Sequence, residues 1–369
     1  MSDLVLRLDG FDVEGWTSVQ VTRSLDALAD TFDLQLTTAA SSKPPPVDII
    51  EGQACQILYG DEVLLSGYID TMDLSYNATS TSLTVSGRSK AGDLVDCTAI
   101  KPGKVTGGSW RNTPFLTIAN DITEPFGITC FCDLGDPLES HFKLTEGESC
   151  FDALERLGKD YGLRIVSFAD GDIQYTRAGI ETLVDVVIES GINVVSGGVT
   201  RSCAERFSDY LFKGQLKADD DNEGEVNTSH LVQDDGVGRY RPLLIETDEQ
   251  VRNSKGQFTN GKNKSPLQLR AEWERNTRAG RSRQLTYDVC NPDDLSLSWE
   301  MPGHGALWRP NIIVTVLDDF LQIDGQYLVT SVTLVRDGSG TRTSLSLTFP
   351  EAYETELPPK KKKKKGFSW

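Results

Sequence analysis

Alternation with a period of two dominates the first hundred residues. Leu4, Leu6 and Leu8 alternate with polar or smaller partners, and Phe32, Leu34 and Leu36 repeat the pattern, as strands buried on one face do. Gly60-Asp61 marks a turn. Beyond it VLLSGYID and SLTVSG give two more strand-like runs, so an antiparallel barrel or sandwich is expected here. Helical spacing begins only later. Thr113-Pro114 reads as a helix start, followed by Phe115, Ile118, Ala119 and Ile122 on one face. A second helix opens at Ser149, with Asp152 three residues on, carries Phe151, Leu154, Leu157 and Tyr161, and stops at Gly162. The hairpin LRIVSF-ADGD-IQYTR follows, so this part is an α+β unit. A third helix is expected from Ser265-Pro266 through Leu269 and Trp273. From about Gly214 to Lys264 the chain is polar, and it reads as long exposed loops around one short apolar segment, Pro242 to Ile245.

Superposed on this pattern is an internal repeat. Val21-Thr22-Arg23-Ser24 followed by Phe32-Asp33-Leu34 recurs as Val199-Thr200-Arg201-Ser202 followed by Phe207-Ser208-Asp209-Tyr210-Leu211. Ser66-Gly67-Tyr68-Ile69 leading to Thr81-Ser82-Leu83-Thr84-Val85 is echoed by Gly325-Gln326-Tyr327-Leu328 leading to Thr343-Ser344-Leu345-Ser346-Leu347. Two matches in the same order indicate a duplicated β-unit whose second copy is split by an insertion.

Length and charge narrow the function. At 369 residues the chain exceeds the size of a single core. No run approaches the roughly 18 apolar residues of a membrane span, and the N-terminus lacks a basic region followed by an apolar one, so folding in the cytosol is expected. The net charge is −18, although six lysines form one terminal run, so the rest of the chain is more acidic still. Such a body repels nucleic acid and lets a polyanion slide past without sticking. Seven scattered cysteines read as buried small hydrophobes rather than a disulfide framework.

Catalytic constellations are not apparent. His141, His230 and His304 stand far apart without motifs, and neither HExxH nor GxSxG occurs. Cys130-x-Cys132 with His141 lacks the turn that CxxC ligand pairs use. Asp219 to Gly224 imitates a calcium loop but places His230 where the bidentate Glu belongs. Gly256 to Asn263 misses a phosphate loop, since Asn263 stands where Ser or Thr holds magnesium. No metal and no cofactor is expected. Dispersed carboxylates leave a paired-acid glycosidase open, because its geometry is three-dimensional. The tail residues Lys360, Lys361, Lys362, Lys363, Lys364 and Lys365 could dock on an acidic partner, with Phe367 and Trp369 as an apolar anchor.

With these motifs placed, the chain resembles the Mu-like baseplate hub proteins of contractile-tailed phages, a family related to the hub of T4-like phages and to the N-terminal part of type VI secretion spikes. The resemblance lies in VTRSLDALADTFDLQL (21 to 36), LLSGYIDTMDLSY (64 to 76), GRSKAGDLVDCTA (87 to 99), GESCFDALERLGKDYGL (147 to 163) and AEWERNTRAGRSRQLTYDV (271 to 289). It implies a mainly β, α+β chain of two related antiparallel, tail-tube-like β-barrels with inserted α+β material. The expected layout is a first barrel over 1–100, an α+β domain over 101–183, and a second barrel built from 184–215 and 285–350. Residues 216–284 form an insertion packing with the α+β domain, and 351–369 a lysine-rich tail. The implied function is a structural hub, not an enzyme. A homotrimeric ring would adapt a threefold spike to a sixfold tail tube, with a lumen for DNA. Its partners would be the central spike, the tube, the wedge proteins and the tape measure protein, in a virion assembled in the host cytoplasm. A tail-associated cell-wall hydrolase is the alternative, and a receptor-binding module a third reading.

Overall fold

The computed structural model describes residues 4–39, 49–105, 107–133, 135–159, 161–216, 226–247, 266–295 and 298–353. The chain divides into two units, one of residues 1–199 with 285–347, the other of 200–284 with 348–369.

In the first unit the alternating N-terminal runs become β1 (Leu4–Leu8), β2 (Phe11–Val13), β3 (Ser18–Ser24), β4 (Thr31–Ala39), β5 (Ala54–Tyr59), β6 (Glu62–Tyr76) and β7 (Ser80–Ser89). Burying one face of each strand is what fixes the register, since a one-residue slip would turn Leu6, Val21, Leu34 and Val85 outward. Next come α1 (Ala91–Asp96), β8 (Ser109–Pro114), α2 (Phe115–Thr123), β9 (Cys130–Cys132), β10 (Leu138–Lys143), α3 (Cys150–Lys159), β11 (Arg164–Ser167) and β12 (Ile173–Thr176). This α+β part has its own core, in which Phe115 meets Tyr175 and Tyr161 edge-on at 4.7 and 5.2 Å. Ser149 caps α3 as expected, its Oγ accepting the Asp152 N–H at 3.1 Å. The start of α2 differs from expectation. Thr113 and Pro114 are the last residues of β8, Pro114 still extended, and the cap comes from a distant loop, where Asp136 accepts the Leu116 N–H at 2.8 Å.

Strands β13 (Glu181–Glu189) and β14 (Val194–Arg201) lead out of this unit. In the second unit β15 (Asp209–Leu216), β16 (Val226–Gln233) and β17 (Pro242–Thr247) form a three-stranded sheet in the order β16-β15-β17, followed by α4 (Pro266–Arg281). The expectation of loops around a single apolar segment is corrected here. The polar run Val226–Gln233 is a strand because β15 supplies its backbone partners along eight residue pairs, and Tyr210 and Phe212 supply the buried face. Neither side chains nor hydrophobic period announce such a strand. Within α4 the ERNTRAGRSR segment is explained by packing: a Cβ at Gly280 would lie 2.7 Å from Ala352, and Arg278 bonds Glu274 at 2.6 Å.

The chain then returns through β18 (Arg283–Val289), β19 (Ile312–Asp318), β20 (Ile323–Asp337) and β21 (Gly340–Thr348). The architecture is mainly β, dominated by a 13-stranded, largely antiparallel sheet whose path runs β14-β18-β21-β20-β3-β4-β7-β6-β5-β1-β2, with β19 pairing β20 and β13. No closed barrel forms among the described residues.

Candidate assembly surface

Two six-strand series and the edge strand β2 make up that sheet. The first runs β3-β4-β7-β6-β5-β1 and the second β14-β18-β21-β20-β19-β13. Every strand of one has its counterpart at the same place in the other, so the sequence repeat is a repeat of strand order. One match shifts: the counterpart of β4 is β18, not the segment Phe207 to Leu211, which leads into β15 of the separate sheet. A further difference lies at the end of the series, where β1 pairs β5 antiparallel but β13 pairs β19 parallel. Strand β2 accounts for it, since the first copy reverses once more between β1 and β3 than the second does between β13 and β14.

The two series meet where β3 pairs with β20, antiparallel, from Ser24 opposite Ser331 to Val19 opposite Arg336. Across this junction the Thr22 and Thr333 hydroxyls lie 3.0 Å apart. Strand β20 has 15 residues, and its two halves have different neighbours on one edge: β19 along Ile323 to Leu328, β3 along Ser331 to Arg336. Strand β6 also has 15 residues, and β5 covers Glu62 to Tyr68 in the same way. Its other half, Thr71 to Tyr76, pairs only with β7 among the described residues. Accordingly Val332 and Leu334 are buried in β20, while Leu74 is 45% and Tyr76 86% exposed in β6. Strand β14 ends the sheet path and is bare along its outer edge among the described residues, with Val195 61% exposed. The sequence held one sign of this, a β6 run far longer than the usual five or six residues with apolar residues continuing to its end.

Next to the junction, GRSKAGDLVD has a physical reason. A Cβ at Gly87 would lie 2.1 Å from the Tyr68 carbonyl, and Arg88 bonds Asp70 and Asp96, each at 2.7 Å. Ser89 Oγ accepts the Asp30 N–H at 3.1 Å. The buried Asp30 carboxylate accepts from Arg23 at 3.3 Å and from Ser167 Oγ at 3.1 Å, clasping β3 to the α+β core. Burial outweighs these partners and pushes Asp30 up to about 6.

The residues weighed for chemistry do not converge. His141 is on β10, His230 on β16 and His304 in a turn, and no group of three His, Cys, Asp or Glu suited to a metal occurs among the described residues. Burial pushes the Cys130 thiol up to about 12, away from the thiolate a ligand needs. Asp209 and Asp234 line a shallow groove, yet both are held below the usual carboxylate range, Asp209 by Ser208 and Gln233, and Asp234 by Arg206 despite its burial. A glycosidase acid needs the opposite shift. The calcium-like loop at 219–224, the phosphate-loop near miss at 256–263 and the tail residues Lys360 to Lys365, Phe367 and Trp369 lie outside the described residues.

The sequence and fold match known proteins along the whole chain. Residues 3–89 match the Mu phage baseplate assembly protein GpP-like N-terminal domain, 91–177 the second domain of baseplate hub protein gp44-like proteins, and 264–356 the fourth domain of the Mu phage baseplate assembly protein GpP. The baseplate hub protein gp44 of Escherichia phage Mu is 30% identical, over 99% of this chain and 93% of its own. The 43 kDa tail protein of prophage MuSo2 from Shewanella oneidensis is 30% identical with a TM-score of 0.78, over 96% of this chain and 99% of that one. An Escherichia coli type VI secretion component, described as structurally similar to the T4 tail proteins gp27 and gp5, shares the fold at 11% identity and a TM-score of 0.53, over 95% of this chain and 78% of that one. The chain belongs to the family of Mu-like phage baseplate hub proteins, components of the virion tail.

Proposed function

We propose that this protein is a non-enzymatic hub subunit that assembles as a homotrimeric ring, adapting a threefold spike to a sixfold tail tube around a lumen for DNA. The observation that carries this reading is the doubled strand order, with β3-β4-β7-β6-β5-β1 repeated as β14-β18-β21-β20-β19-β13. Three chains with two equivalent β-units each offer six similar surfaces, which is what a threefold-to-sixfold adapter requires. In this reading the two repeated β-units are the tail-tube-like barrels. The second β-unit spans about 181–201 and 283–348, split by the insertion that holds β15 to β17 and α4. The acidic net charge of −18 suits a lumen past which DNA slides. Spike, tube, wedge and tape measure proteins are the proposed partners. The lysine run with Phe367 and Trp369 is proposed to dock on an acidic one of them.

Light scattering on the purified chain at micromolar concentrations, with negative-stain images, tests the ring. Three copies per particle with a central opening are expected; a monomer at every concentration sinks the reading.

A further inference from the structure

We infer that the bare half of β6 in one copy of this chain receives β14 of a second copy, antiparallel, in the register that β3 and β20 use within the chain. The inference rests on the ring reading above and deepens it by naming the strand edges that join neighbours.

The argument is one of equivalence. Inside the chain, the first copy's leading strand β3 adds to the outer half of the second copy's long strand β20. The second copy's leading strand, β14, has no partner on that edge, and the first copy's long strand, β6, has no partner on its outer half, among the described residues. A surface used once within a chain and left open at both ends is a head-to-tail contact, and head-to-tail contacts close into a ring when their rotation closes, as the ring reading above requires. The bare edges have little of the ordinary protection. Neither Thr71 to Tyr76 nor β14, Val194 to Arg201, contains proline or lysine, and each carries a single charge, Asp73 and Arg201; Leu74, Tyr76 and Val195 are apolar and exposed. Edges that stay solvated in a free protein are instead blunted by charge, proline or a bulge. Strand β6 carries an extra residue twice, Leu64 against β5 and Asp70 against β7; the second falls where β5 ends and the bare half begins, so it re-aims the outer half rather than terminating it.

The repeat also sets the register. Thr200 corresponds to Thr22 through the shared Val-Thr-Arg-Ser. Thr333 lies six residues beyond Tyr327; counting six from the matching Tyr68, plus the residue taken up by the bulge, arrives at Ser75. The contact between Thr22 and Thr333 hydroxyls is then reproduced between subunits by Thr200 and Ser75. Both strands present small hydroxyl residues at that point, so the backbones meet without a bulky side chain between them.

Paired cysteines test this. The purified full chain carrying Ser75→Cys and Thr200→Cys, with exposed Cys203→Ser, is oxidised and run on a non-reducing gel. Covalent dimers and trimers are expected, and they collapse to monomer on reduction. Thr22→Cys with Thr333→Cys is the internal control and stays at monomer mobility. Because neighbouring residues of a strand face opposite ways, Ser75→Cys with Val199→Cys loses the ladder. A trimer by light scattering that gives no ladder with Thr200→Cys, or an equal ladder with Val199→Cys, overturns the edge assignment and leaves the ring standing. A monomer without a ladder overturns both.

Discussion

The two copies of the β-unit share a strand order but not an environment, and the difference shows what duplication made possible. In the first copy β3 is enclosed: Val19 and Val21 are buried, β20 lies on one side and β4 on the other. In the second copy β14 has glycine at 197, a half-buried Val199 and an edge left open among the described residues. The long strands are reversed. Strand β20 is covered along its outer half, and β6 is bare there among the described residues. One junction is therefore satisfied within the chain, and its duplicate is left to be satisfied elsewhere.

Substitutions at matched positions sharpen this comparison, and the largest effect is expected at Gly67. A Cβ there would lie 1.9 Å from the Arg88 carbonyl, a backbone atom that cannot step aside, whereas the matching position of the second copy holds Gln326. Gly67→Gln should cost more than about 3 kcal/mol, the upper end of ordinary overpacking, and give insoluble or unfolded protein. Gly325→Ala, whose Cβ meets only Tyr327 at 3.7 Å, should leave thermal unfolding nearly unchanged.

Second comes the arginine of the repeated Val-Thr-Arg-Ser. Arg23 is held against the buried Asp30, and Arg201 is exposed. Arg23→Met leaves a buried carboxylate without its cation and should cost about 3 kcal/mol at neutral pH, while Arg201→Met should cost nothing measurable in urea unfolding of the free chain. Asp30 makes a related pH statement. Its folded pKa, about 6, lies above the ordinary carboxylate value, so the protonated form is favoured by folding. The contribution is fully present below pH 4 and is lost as pH rises through about 6, a change of at most about 3 kcal/mol. Asp30→Asn should flatten the unfolding profile over that window; a wild-type profile already flat there would remove the basis for the assignment.

Smaller effects follow from the valines. Val21→Ala opens a cavity in a fully buried site and should cost about 2 kcal/mol, whereas Val199→Ala should cost under about 1 kcal/mol in the free chain. If β14 is covered on assembly, the Val199→Ala penalty appears in trimer dissociation instead. The smallest is the cap at Ser149, where Ser149→Ala should lower stability by about 1 kcal/mol, with no counterpart in the second copy.

Much of this was legible from residue order. Period-two alternation located β1, β4 and β7, Ser149 marked the start of α3, which ends at Lys159 a few residues before Gly162, and the Val-Thr-Arg-Ser and Gly-Tyr echoes announced duplication, because each signal is carried by neighbours in sequence. Strand β16 was not legible, since a polar strand buries little of its own and is recruited by β15. The cap of α2 was misread for the same reason: Asp136 reaches Leu116 from 20 residues away. Pairing Phe207 with Phe32 failed because an insertion interrupts the second copy, and only hydrogen bonding shows that β18 takes the place of β4.

Sequence by itself determined the mainly β character, the helix α3, the presence of a repeat and the family resemblance. Those follow from local periodicity and from motifs that constrain backbone geometry, such as Gly87 against Tyr68. Only the tertiary structure decided which strands are partners, that β3 joins β20, and that β6 and β14 are the edges left open. Strand pairing is a contact between residues hundreds of positions apart, as Thr22 and Thr333 are. Any strand's backbone offers the same donors and acceptors, so the identity of its neighbour is written in the fold and not in the strand.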